Sequence, residues 1–201
     1  ISVMIASMIK KELLDKLYKK KKKSLFEISK ILKCSVHKVN YWIKKYNIVT
    51  RSISEAVYIK CNPQGDPFKL RFPITIAEAK LFGMGIGLYW GEGNKANKDS
   101  VRLGNTDPEL LSKFIDFLVI FFGIDRSDLH FGLQVFTDIS IDEAMDFWKK
   151  KLRIKSKQFY KPVITKSGSL GTYRNKSVYG VLPVHYHNKK MRAIMVSLLP
   201  M

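Results

Sequence analysis

The chain is poor in acidic side chains, with 17 Asp and Glu against 36 Lys and Arg over 201 residues, a formal charge of +19. A surplus of this size asks for a polyanionic partner, nucleic acid before a membrane surface. A merely basic, soluble surface is the plain alternative. Cysteine is also scarce. Cys34 and Cys61 make no CxxC and no disulfide framework, which fits a reducing compartment. Long hydrophobic runs are missing. The longest, residues 114–124, contains Asp116 and is too short to span a bilayer. Residues 1–9 are apolar but precede the lysines, the reverse of a signal peptide's order. What is present is a core: 46% hydrophobic and 12% aromatic residues exclude a disordered chain and allow one or two domains.

The charge is uneven. Residues 1–60 hold 15 basic and 4 acidic side chains, a net of +11 against +8 for the remainder. Within that basic third, Ile9, Leu13, Leu14 and Leu17 repeat at helical spacing over residues 8–18. Ser24 is placed to cap a second helix over residues 25–32, with Leu25, Ile28 and Leu32 inward. Lys33, Cys34 and Ser35 form a tight turn. Ser35 then caps a third helix over residues 36–46, with Val39, Ile43 and Tyr46 inward. Two short helices joined by such a turn resemble a helix-turn-helix. On that reading Ser35, His37, Lys38, Asn40, Tyr41 and Lys44 face the major groove, Asn40 suits adenine, and Lys45 and Arg51 follow the DNA backbone. A three-helix bundle with a solvated basic face is the alternative. Residues 47–74 read as a Pro- and Gly-rich connection without a long element, placing the domain boundary near residue 62, with domains 1–61 and 62–201.

Five of the twelve glycines fall at positions 83, 85, 87, 91 and 93, the first four inside an apolar helix expected over residues 76–92 and opened by a Thr75/Glu78 capping box. Each interior glycine costs about 1 kcal/mol against alanine. Gly83, Gly87 and Gly91 are spaced by four and make one stripe, the pattern that lets a second helix backbone approach closely. An ordinary buried helix with tolerated glycines is the alternative. The helix ends on a carboxylate, Glu92, between Gly91 and Gly93.

The run GIGLYWGEG, residues 85–93, resembles the LAGLIDADG motif and aligns on it without gaps. Gly87, Leu88 and Gly93 match consensus letters, and Glu92 falls at the catalytic acidic position. Gly85, Ile86, Tyr89, Trp90 and Gly91 depart from it. The resemblance covers residues 74–199 and implies a homing-endonuclease domain of α+β class, a mainly antiparallel sheet with helices on one face, preceded here by the all-α helix-turn-helix domain. It implies a homodimer seam at Gly83, Gly87 and Gly91, since the chain has one motif and no internal repeat. It further implies Mg²⁺ held by Glu92 and Gly91, and metal-dependent cutting of both strands of a near-palindromic duplex. The family's use of a strand glutamine and a basic residue at the start of the last helix makes Gln134 and Lys189 or Lys190 the accessory catalytic candidates.

Further strands are expected over residues 100–104, 129–136, 158–165 and 177–187, and helices over residues 107–122, 140–152 and 188–199. The family's plan has two strands after the motif helix; only one is evident here. The sheet face toward DNA would offer Lys95, Lys98, Arg102, Gln134, Lys157, Lys161, Lys166, Arg174 and Lys176, the last three in a hairpin-like loop over residues 165–177. His185 and His187 alternate onto one strand face, as surface or base-contacting groups rather than metal ligands. The expectation is a cytoplasmic, nucleoid-associated DNA endonuclease of prokaryotic, phage or mobile-element origin without membrane attachment. The alternatives are a non-cleaving transcription regulator of the WhiA type and an intron-RNA maturase.

Overall fold

A computed structural model describes residues 8–167 and 177–200. The chain divides into two compact units, one ending at Pro67 and the other beginning at Phe68. No helix among the described residues is long and apolar enough to cross a membrane.

The first unit is helical. Helix α1 (Lys11–Leu14) continues as a π-helical turn, Asp15–Lys20, so the helix enters the lysine run instead of ending before it. This winding buries Leu14, Leu17 and Tyr18 and leaves Leu13, expected inside, exposed. Ser24 and Glu27 form a reciprocal capping box that starts α2 (Leu25–Ile31). Hydrogen bonding from the Ser24 backbone and then the Lys23 side chain holds the Glu27 carboxyl down at about 2. Lys33 turns the chain in the left-handed region, φ 48°, and Ser35 caps α3 (Val36–Lys45), accepting from the Lys38 amide at 3.2 Å. Ile28, Val39, Trp42 and Ile43 fill the core with the first helix; Trp42 is buried and Tyr46 half-buried. The connection is not free of structure: Ser52 caps α4 (Ile53–Cys61), which buries none of its residues. That lack of an apolar face removed the periodic signal.

The second unit is α+β. Thr75 caps α5 (Ile76–Glu92), and the Glu78 carboxylate takes the Ile74 amide at 2.9 Å and Arg71 at 2.8 Å. The Arg71 pairing, ahead of the backbone bonds, lowers Glu78 to about 2. Strand β1 (Val101–Asn105) leads to α6 (Pro108–Phe122), capped by Asp107 with proline in its first turn and closed by Gly123 at φ 61°. Short strands β2 (His130–Phe131) and β3 (Gln134–Phe136) follow, broken at Gly132 and Leu133 where one strand was expected. Then come α7 (Ile141–Leu152), β4 (Val163–Thr165), β5 (Leu182–Tyr186) and α8 (Lys189–Ser197).

The order β1-β5-β2 is antiparallel throughout, with Arg102 opposite His185 and His130 opposite His185. The pair β3-β4 is parallel, against the mainly antiparallel expectation, because the chain crosses over through α7 and returns in the same direction. The strand expected over residues 158–165 shrinks to its last three residues. Gln158 is buried and locks a 3₁₀ turn, donating to the Arg126 and Leu129 carbonyls at 3.0 and 2.9 Å, and Pro162 has no N–H to give a ladder. Strand β5 likewise occupies only part of residues 177–187. The core lies between the sheet's inner residues, Val101, Leu103, Phe131, Leu182 and Val184, and the aromatic side of α6.

Candidate nucleic-acid interface

In the first unit, α3 turns Val39, Trp42 and Ile43 inward, so the 3.6-residue period sends His37, Tyr41 and Lys44 outward, all exposed, with Asn40 half-exposed at the margin. Lys45 lies over the Trp42 ring, 4.8 Å from its centroid, and over Tyr41 at 5.6 Å, which fixes its stem while its charge stays at the surface. Ser35 is spent as the helix cap. Arg51, expected along the DNA backbone, is engaged within its own unit. Its guanidinium donates to the carbonyls of Tyr18, Lys22 and Lys23 and stacks 4.1 Å above the Tyr18 ring. The reason is the π turn and the lysine run, which leave carbonyls that need donors.

In the second unit, a groove of about 460 Å³ opens on the outer face of the sheet. Glu92 and Asn94 line one side from the end of α5. Arg102, Gly104, Gln134, Tyr160, Lys161 and His185 line the rest. Four residues singled out from the sequence, Glu92, Arg102, Gln134 and Lys161, are thus brought together. Glu92 is the one carboxylate among the described lining residues. At the helix end the Tyr89 carbonyl accepts the Gly93 amide at 3.0 Å and the Trp90 carbonyl accepts Lys95 Nζ. Lys95 is therefore a cap on α5, not a free cation.

Lys189 and Lys190 are exposed in the first turn of α8 and do not line the groove. The basic residue of α8 that reaches the end of α5 is Arg192, which donates to the Lys95 carbonyl. It lies one turn deeper, where the helix faces the core at Met191 and Met195. Lys98, Lys157 and Lys166 are exposed, away from the lining of the groove. Arg174 and Lys176 lie outside the described residues.

Tyr160 was missing from the sequence candidates; nothing local marks it. Its hydroxyl meets His187 Nε2 at 2.6 Å and its ring stacks on His130, with centroids 5.3 Å apart. Burial, opposed by Arg102, raises its phenol above the ordinary value. His185, read from the sequence as a surface or base-contacting group, is buried, and its imidazole is pushed down to about 4, first by burial and then by Arg102. Burial and the neighbouring His130 lower His187 as well.

The helix α5 shows two kinds of glycine. A Cβ on Gly85 would lie 2.1 Å from the Phe117 ring, and one on Gly93 2.3 Å from the Tyr89 carbonyl. Cβ atoms on Gly83, Gly87 and Gly91 would meet nothing within 4 Å. The stripe is continued by Ile76, Met84 and Trp90, all exposed.

Comparison with protein families, with curated proteins and with solved structures finds no match to the chain.

Proposed function

We propose that the protein is a DNA endonuclease of LAGLIDADG type that binds duplex DNA through α3 and the outer sheet face and cuts as a homodimer. One observation carries this reading: Glu92, at the end of α5, shares a groove with Arg102, Gln134 and Lys161. The helix is apolar nearly all round, yet its glycine stripe is uncovered. Such a helix calls for a partner surface, and a second copy of α5 fits it, setting two Glu92 carboxylates side by side.

The donor chemistry suits Mg²⁺. Glu92 supplies a hard oxygen, and the Gly91 carbonyl accepts no hydrogen bond among the described residues. No group of three protein ligands gathers among the described residues of one chain, and Mg²⁺ commonly needs only one or two carboxylates plus substrate phosphate oxygens. Mg²⁺ held there supplies charge neutralisation at the scissile phosphate. Arg102 and Lys161 hold phosphate oxygens. Gln134, which lines the same groove, orients a water by its amide.

The test is selection of bound duplexes from a random pool, followed by cleavage with and without Mg²⁺. The expected result is Mg²⁺-dependent cutting of both strands, lowered roughly 10²-fold or more by Glu92→Gln with binding kept. A wild-type protein that binds its selected site tightly in Mg²⁺ and never nicks it overturns the endonuclease reading. The second reading, a non-cleaving regulator on the same scaffold, is then the one favoured by a groove with a single carboxylate.

A further inference from the structure

Arg102 and His185 are register partners on β1 and β5, and both line the groove. Arg102 Nε–H donates to His185 Nδ1 at 3.1 Å, which fixes the imidazole as the tautomer with its proton on Nε2. His185 is 7% exposed. Its neighbours are His130 across the sheet, His187 two residues along, and the Tyr160 ring at 5.5 Å. Burial first, then Arg102 and these imidazoles, disfavour a further positive charge, so the imidazole is held neutral and Nδ1 keeps its lone pair at neutral pH. With Nε spent, the guanidinium retains its two terminal amino groups as a planar fork. Among the described residues no carboxylate pairs with it.

We propose that His185 is a positioning residue whose Nδ1 holds the Arg102 guanidinium so that its amino edge stands in the groove as a preformed fork for a phosphate diester. A free arginine on a strand loses rotamer freedom when it binds; one tethered at Nε has lost it on folding, so less is lost on binding. The fork geometry matches two oxygens of one phosphate. This rests on the reading of the groove as a DNA surface.

The experiment has two arms. In the free protein, the ¹⁵N-resolved Arg102 Nε–H resonance is followed in wild type, His185→Asn and His185→Phe. Asparagine keeps an acceptor where Nδ1 stood, and phenylalanine removes it. A resolved, slowly exchanging Nε–H in wild type and His185→Asn that is lost in His185→Phe is expected. Affinity for a random-sequence duplex of about 30 base pairs is then measured for the same proteins and for Arg102→Gln. Arg102→Gln is expected to weaken binding about tenfold, His185→Phe about three- to tenfold, and His185→Asn less than twofold. Melting temperatures near wild type establish that the variants fold, and Arg102→Lys, which keeps the charge without the fork, is expected to match His185→Phe. If Arg102→Gln leaves affinity unchanged, the DNA reading of the groove fails. If Arg102→Gln weakens binding while His185→Phe does not, or His185→Asn does not rescue, the positioning role is overturned.

Discussion

On α5, Gly85 and Gly87 are two residues apart and so face about 200° away from each other. A methyl on Gly85 would overlap the ring of Phe117, while one on Gly87 would stand in open space. The inward glycine is there because α6 packs so close that no side chain fits. The outward ones meet no contact among the described residues and still carry the full cost of glycine in a helix. A cost with no internal return is the stronger pointer to something outside the chain.

That contrast breaks most visibly at Gly85. Gly85→Ala is expected to lower stability by about 2–3 kcal/mol, the overpacking cost exceeding the gain in helix propensity. Thermal or urea unfolding reads it. Phe117→Leu in the same chain should recover part of the loss, and independent effects of the two changes would refute the packing account. The outer face responds in the opposite sense. Gly87→Val should leave the dilute protein's melting temperature within a few degrees of wild type while weakening self-association tenfold or more, measured by sedimentation at several concentrations. An unchanged association constant removes the stripe from any seam. The smallest change is Gly83→Ala, which should stabilise the dilute protein by roughly 0.5–1 kcal/mol.

Acid sharpens the contrast, because neither glycine face titrates. His185 does. Above pH 6.5 its imidazole is neutral folded and unfolded. Between 6.5 and about 4 the unfolded chain takes a proton that the folded chain refuses, so stability falls as pH drops through that window. His185→Asn should flatten part of that fall in a melting series from about pH 7 to 4.5, and the Gly85 and Gly87 effects should not move with it.

The helices were legible because their signals are local. Ser24, Ser35, Thr75, Asp107, Ser140 and Asn188 all cap the helices they precede. The exceptions are instructive. Residues 53–61 form a helix without an inward face, so nothing periodic announced it. Strand pairing depends on partners far along the chain, and the register that sets Arg102 against His185 and His130 is not written in any short window. For the same reason Glu92, Arg102, Gln134 and Lys161 were recognisable singly as types, whereas Tyr160 and the buried state of His185 came only from the fold. The intrachain bonds of Arg51 were not legible, because they depend on carbonyls that a π turn left over, and a regular helix ending at Tyr18 would have hidden that need.

The parallel pairing of β3 with β4 has a kinetic side. Two parallel strands cannot meet across a tight turn, so Gln134 pairs with Val163 only across the long connection that holds α7, a contact of high sequence separation. Gln134, Tyr160 and Lys161 hang from that crossover, while Glu92 and Arg102 belong to neighbouring stretches of chain. The other wall is no more local, since Arg102 on β1 has its strand partner in His185 on β5, so the groove closes only through pairings of long sequence separation. A chain emerging in synthesis carries its acidic helix end well before it carries Tyr160, Lys161 and His185, which complete the groove.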